Sequence, residues 1–213
     1  KPGDWDAKTV AFSEQNALPM GHSMHNHNTL PTFQVRIREL DQWVCWKPAL
    51  KAQLRVMLGL VREAAERPTW EIVGVIERPG YRIENVVLKD PTGLLSTANF
   101  YVPQNRSRPL PCILYLCGHW PSPHGAKVGF QNRYLWYPQN GFACLVVDPL
   151  QFGEIQGIHH GTQAMGWWHW LSLGYTPAGV EVWNAMRALD WLQTRDEVDS
   201  ARIGVTGISG GGV

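Results

Sequence analysis

Gly207-Ile208-Ser209-Gly210-Gly211 sets one hydroxyl among small residues, directly after the β-prone run Ile203-Gly204-Val205-Thr206. G-x-S-x-G in that position predicts a sharp strand-to-helix turn, a nucleophile elbow, with Ser209 at its apex, in strained backbone geometry that thrusts the hydroxyl outward. Glycines flank it because a Cβ on either side would collide with the neighbouring strand or helix. A serine presented in this way is suited to nucleophilic attack on an acyl carbon. The same stretch has neither the Lys of a P-loop nor the G-x-G-x-x-G spacing of a dinucleotide-binding turn, which argues against a phosphate cradle.

Attack by a serine oxygen creates a tetrahedral oxyanion that must meet preorganised N–H donors. The N–H of Gly210 is one candidate, being next to the nucleophile. The second is expected from the loop after an earlier strand, Cys117-Gly118-His119-Trp120, where the His119 N–H is the first choice and Trp120 the neighbouring one. This assignment leaves the His119 side chain without a required task. Trp120, Trp167 and Trp168 are candidates for a substrate pocket. The cluster Trp167, Trp168 and Trp170 reads either as a lid packed on the core or as a wall that contacts sugar rings, and the chain holds 11 Trp. His159 and His160 read as loop residues bordering the pocket, and Glu154 as the solvent end of a loop. His22, His25 and His27 form H-x-x-H-x-H, but no Cys or paired carboxylates stand nearby, so an exposed polar segment is the better reading and no metal or cofactor is expected.

The elements that would hold these residues can be read from periodicity and punctuation. Residues 1 to about 40 lack a sustained period. Pro48 is expected to open a helix through Leu50, Leu54, Met57, Leu58, Val61 and Ala65, docked by one apolar face and stopped by Pro68. Glu71–Arg78, Tyr81–Lys89 and Leu95–Val102 are β-rich runs parted by Pro79-Gly80 and by Asp90-Pro91-Thr92-Gly93, an antiparallel entry to a sheet. Cys112–Leu116 and Phe142–Asp148 are continuously apolar, as strands covered on both faces must be, with a helix expected over Lys127–Tyr137 between them. Residues 149–175 read as a long loop. Thr176 caps a helix with Pro177 at its first position and Val182, Ala185, Met186, Leu189 and Leu192 on its buried face, and a strand follows at Arg202–Thr206. The alternation predicts an α/β fold, a mainly parallel sheet with helices on both faces. Residues 1–69 would form an N-terminal extension with one helix, and 70–213 the α/β domain.

Composition excludes several classes of function. Lys plus Arg is 19 against 18 for Asp plus Glu, a net charge of +1, too small to recruit nucleic acid or an anionic membrane surface. No apolar run approaches the length of a membrane-spanning helix. Cys112, Cys117 and Cys144 lie in or beside apolar runs and read as small core residues. The first residue is Lys1 rather than Met, which fits a processed N-terminus and favours a secreted or periplasmic location without fixing the compartment.

Taken together, Gly80-Tyr81-Arg82-Ile83-Glu84, Phe100-Tyr101-Val102-Pro103, Leu114-Tyr115-Leu116-Cys117-Gly118-His119, the stretch from Val147 to Glu154, Arg187-Ala188-Leu189-Asp190-Trp191-Leu192 and the stretch from Val198 to Gly211 resemble the acetyl-xylan-esterase-like branch of the α/β-hydrolase superfamily. The resemblance spans roughly residues 50 to 213. Relatives often carry His at the position held here by Cys117. It implies the α/β-hydrolase fold and deacetylation of carbohydrate esters through a serine nucleophile and an acyl-enzyme. In such enzymes the order is Ser, then Asp or Glu, then His, so the acid and base are expected on a C-terminal segment beyond Val213, with the last part of the fold. Two rival readings remain: another hydrolase of the same fold, such as a peptidase or lactone hydrolase, and a noncatalytic carbohydrate-binding relative.

Overall fold

The computed structural model describes residues 39–60, 69–89, 93–104, 107, 109–120, 124–155 and 165–212. The polypeptide divides between Arg55 and Val56 into two compact units. Helix α1 (Leu40–Met57) supplies the described part of the first and corrects the expected start, because Pro48 lies inside it. The helix instead begins where Asp41 sets a carboxylate beside the N-terminal amides and the Glu39 N–H donates to Gln42 Oε1 at 3.3 Å. Nor does α1 show the expected apolar docking face, since none of its residues is buried. Residues 61–68, including the expected end of that helix, lie outside the described residues.

Among the described residues of the second unit, six strands form one sheet in the order β1-β2-β3-β5-β4-β6. β1 (Thr69–Arg78), β2 (Tyr81–Lys89) and β3 (Leu95–Pro103) make the expected antiparallel entry. Their first hairpin turns on Pro79-Gly80, with Gly80 at φ 87°, a left-handed conformation in which a Cβ would be strained. β3 pairs antiparallel with β5 (Ala143–Val147). β5 and β6 (Val198–Gly207) flank β4 (Leu110–Leu116), both parallel to it.

All five residues of β5 are buried, and the pleat explains its unbroken apolar run. Ala143, Leu145 and Val147 enter one core with Phe100, Val102, Leu114 and Ala188, Trp191 and Leu192 of α6 (Pro177–Leu192). Cys144 and Val146 enter the other, with Tyr101, Cys117, and Ala126 and Tyr134 of the short helices α2 (Gly125–Gly129) and α3 (Gln131–Tyr134). Helices therefore cover both faces. The three buried thiols Cys112, Cys117 and Cys144 are free and sit among these apolar groups. Leu145 has no exposed surface, so Leu145→Ala should lower the unfolding free energy by about 2–5 kcal/mol, read from urea midpoints.

Two helical expectations need correction. The single helix expected over Lys127–Tyr137 is three short pieces, α2, α3 and α4 (Trp136–Gln139). In α6, Thr176 Oγ1 caps as expected, accepting from the Gly179 N–H at 2.9 Å with Pro177 at the first position. Its most buried line, however, runs through Asn184, Ala188, Trp191 and Leu192, while Val182, Ala185, Met186 and Leu189 are only half-buried. Trp191 stacks on Trp70 with 4.9 Å between centroids and meets Phe100 edge-on at 5.3 Å, so the indole sets which side of the helix faces the sheet. The long 149–175 connection carries a short helix, α5 (His169–Ser172), among its described residues.

Candidate active site

β6 runs to Gly207, and the next residues turn at once into a 3-10 helix, Ser209–Gly212. Ser209 sits at φ 56°, in the left-handed region that costs a non-glycine residue on the order of 1–3 kcal/mol. It is exposed. The strain expected of the turn is therefore present at the residue expected to carry it.

The neighbouring glycines show why the turn can be this tight. A Cβ on Gly207 would overlap the Gly211 carbonyl and stand 2.9 Å from Leu116 O. One on Gly211 would overlap Leu116 O and lie 3.0 Å from Cys117 O. One on Gly118 would lie 2.5 Å from Ile208 O and 2.9 Å from Ser209 Cβ, so the loop after β4 is flush against the serine. One on Gly210 would overlap the His119 ring, with Nδ1 at 2.7 Å. The structure thus brings together Ser209, Gly210, Gly118 and His119, from segments about 90 residues apart in sequence.

His119 is half-buried, and its ring is bounded on further sides. Phe152, on the loop after β5, meets it edge-on with 5.3 Å between centroids. Glu181 of α6 brings Oε1 to 3.9 Å from His119 Nε2 and accepts from the Leu150 N–H at 3.3 Å. Burial pushes the Glu181 carboxyl up to about 7, against the opposing pull of that backbone hydrogen bond. Sequence reasoning does not single out Glu181 or Phe152. The available signal is a carboxylate set between Val180 and Val182.

Beneath the loop that carries Phe152 lies a second feature missed from the sequence. Lys127 is 1% exposed, and its Nζ contacts Thr97 Oγ1 at 2.7 Å, Glu154 Oε2 at 2.7 Å and Asp148 Oδ2 at 3.0 Å. Its backbone N–H donates to Asp148 Oδ1 at 3.2 Å. Burial pushes the Asp148 carboxyl up while the Lys127 charge pulls it back down. Glu154 is thus not merely the solvent end of a loop, as its place in the sequence suggests, but the outer partner of a buried lysine.

Trp120, next in sequence to His119, is 41% exposed, with its ring 4.6 Å from Phe130 in an edge-on contact. Gly129 gives it room, since a Cβ there would lie 3.0 Å from the indole Nε1. Trp168 is 61% exposed, and the Trp167 ring lies 6.2 Å from His169 in the same segment. That segment continues to Thr176, whose Oγ1 reaches Leu58 O at 3.5 Å. His22, His25, His27, His159 and His160 lie outside the described residues. Among the described residues no group of three His, Cys, Asp or Glu side chains is placed to hold a metal ion, and no helix is long and apolar enough to cross a membrane.

No protein-family model and no curated protein matches this sequence. Solved structures do. A Bacteroides fragilis protein assigned as an acetyl xylan esterase is 21% identical, with a TM-score of 0.63 over 79% of this chain and 48% of its own. The acetyl xylan esterase of Paenibacillus sp. R4 is 24% identical, with a TM-score of 0.53 over 82% and 53%. The glucuronoyl esterase of Solibacter usitatus is 15% identical, with a TM-score of 0.55 over 78% and 53%. The present chain thus spans about half the length of these structures. At such identities the likeness shows the fold, which is the α/β-hydrolase fold in the form these esterases have.

Proposed function

We propose that this protein supplies the nucleophile of a serine esterase that removes acyl groups, acetyl foremost, from carbohydrate esters. The observation that supports this most is the exposed Ser209 held at positive φ with the Gly118–His119 loop pressed against it. Ser209 Oγ attacks the ester carbon, and the negative charge that develops on the carbonyl oxygen is met by the N–H groups of Gly210 and His119. The alcohol leaves as the acyl-enzyme forms, and water then releases the acid. The base that takes the serine proton, and the carboxylate that orients it, are assigned to the polypeptide following the elbow by the usual order of such triads. Trp120, with Trp167 and Trp168, is the proposed apolar wall for the sugar.

Gly118 offers a test of the loop's part. A methyl group there must displace either the elbow carbonyl or Ser209 itself. Gly118→Ala should therefore lower kcat for an aryl acetate about a hundredfold, the loss typical of one misplaced oxyanion donor. For the substrate, the test is a panel of acetylated xylan, a glucuronoyl methyl ester, a lactone and a peptide offered to the intact protein. Acetate release from xylan should exceed turnover of the other three. Faster cleavage of the lactone or peptide would assign the rival hydrolase, and no turnover with retained xylan binding would assign the noncatalytic reading.

A further inference from the structure

We propose that Glu181 is a positioning residue of this site: through the His119 imidazole it fixes the backbone N–H groups of His119 and Gly210 against the Ser209 hydroxyl. The inference deepens the esterase reading and rests on it for its catalytic arm. The His119 ring is bounded on three described sides, by the Gly210 backbone, the edge of Phe152 and the Glu181 carboxylate, whose Oε1 stands at ion-pair rather than hydrogen-bond distance, 3.9 Å from Nε2. Of these three neighbours only Glu181 is ionisable. The ring leaves no room for a Cβ at Gly210, so any swing of the imidazole changes the space in which the turn after Ser209 packs. Because the ring and the His119 N–H belong to one residue, whatever anchors the ring also orients the proposed donor.

Glu181 is well placed to be that anchor. It projects from the regular helix α6, two turns before the line that buries Ala188 and Trp191 in the core, so its backbone is held by packing. The Leu150 N–H holds the same oxygen that faces His119, tying the carboxylate to the loop that delivers Phe152. Burial pushes the Glu181 carboxyl up to about 7. An ionised carboxylate facing an imidazole at this distance favours the ring's charged form, which sets the direction of the titration shift expected below.

Glu181→Gln tests this without removing the anchor's shape, since the amide oxygen still accepts from Leu150. In the intact protein the His119 imidazole resonances, assigned with His119→Gln, should titrate at lower pH in Glu181→Gln than in the wild type. The kcat for an aryl acetate should fall about tenfold, part of the loss of a whole oxyanion donor, with KM nearly unchanged. Glu181→Asp should recover neither the midpoint nor the rate in full, because the shorter side chain falls short of the ring. An unchanged His119 midpoint overturns the pairing, whatever the rate does. A shifted midpoint with unchanged kcat, in an enzyme that Ser209→Ala inactivates, overturns the positioning role. If Ser209→Ala keeps full activity, the esterase reading of this elbow fails and the positioning role falls with it, while the titration still records whether the two side chains are coupled.

Discussion

Ser209→Ala in the intact protein is expected to lower kcat for ester hydrolysis by at least about a thousandfold, with KM changed little. The size follows from what the hydroxyl is asked to do. Without it no acyl-enzyme forms, and only attack by water remains, assisted by the oxyanion donors and by substrate positioning. In triad enzymes that remainder is still on the order of 10³–10⁴ above the uncatalysed rate, so hydrolysis drops steeply without vanishing. The stability of Ser209→Ala should stay close to that of the wild type. Alanine relieves none of the left-handed strain at φ 56°, but Ser209→Gly, which does, should unfold at higher urea while remaining equally inactive. Rates over a range of aryl acetate concentrations and urea midpoints of the three proteins check both halves.

Lys127→Met is expected to cost about 3–5 kcal/mol of folding stability, the usual penalty for leaving a buried charge without its partner. Methionine fills the space of the aliphatic stem but leaves Asp148, 6% exposed, facing only the Thr97 hydroxyl and one backbone N–H. Gly125 and Gly153 press so close to the carboxylate that a Cβ on Gly125 would lie 2.8 Å from Oδ1, and one on Gly153 would overlap Oδ2. The sign of the pH dependence follows from burial. With its cation gone, Asp148 in the folded state holds its proton above the unfolded-state value of about 3.9, so folding binds a proton and stability falls as pH rises. The loss should therefore be smallest below about pH 4 and deepen with rising pH until the folded-state carboxyl ionises. The double variant Lys127→Met/Asp148→Asn should recover a large part of it and lose this pH dependence. Urea unfolding at several pH values measures all three.

Which parts of this arrangement were legible in the sequence follows from the range of the forces involved. The strands lie where local patterning puts them, because β5 is buried on both faces and β2 and β3 are bounded by Pro-Gly and similar turn residues. The elbow was legible for a related reason: glycines at 207, 210 and 211 answer a backbone demand that no other residue type meets. Pro48 misleads because proline is common at a first helical turn yet can also be carried inside a helix. The buried side of α6 differs from the expected one because a large indole at Trp191 decides the packing, not the count of aliphatic residues along a face.

Polar partnerships were the least legible. Lys127 meets Thr97 and Asp148 only because β3, β5 and α2 converge, and His119 meets Glu181 only because α6 crosses under the loop after β4. Nothing within a local window announces such pairs. What the sequence does show is an ionisable residue out of keeping with its surroundings: Glu181 between two valines, or Asp148 closing an unbroken apolar run. Both sit where a charge is buried beside the elbow's supporting loops.

The strained, exposed hydroxyl of Ser209 is the proposed attacking group. An aryl or fluoro phosphonate, which phosphonylates activated serines, tests it directly when applied to the intact protein and followed by peptide mass spectrometry. One phosphonyl group should appear on the peptide holding Gly207-Ile208-Ser209-Gly210, in step with loss of ester hydrolysis, and Ser209→Ala should stay unmodified. Full inactivation with the label on another residue, or undiminished hydrolysis by Ser209→Ala, would contradict it.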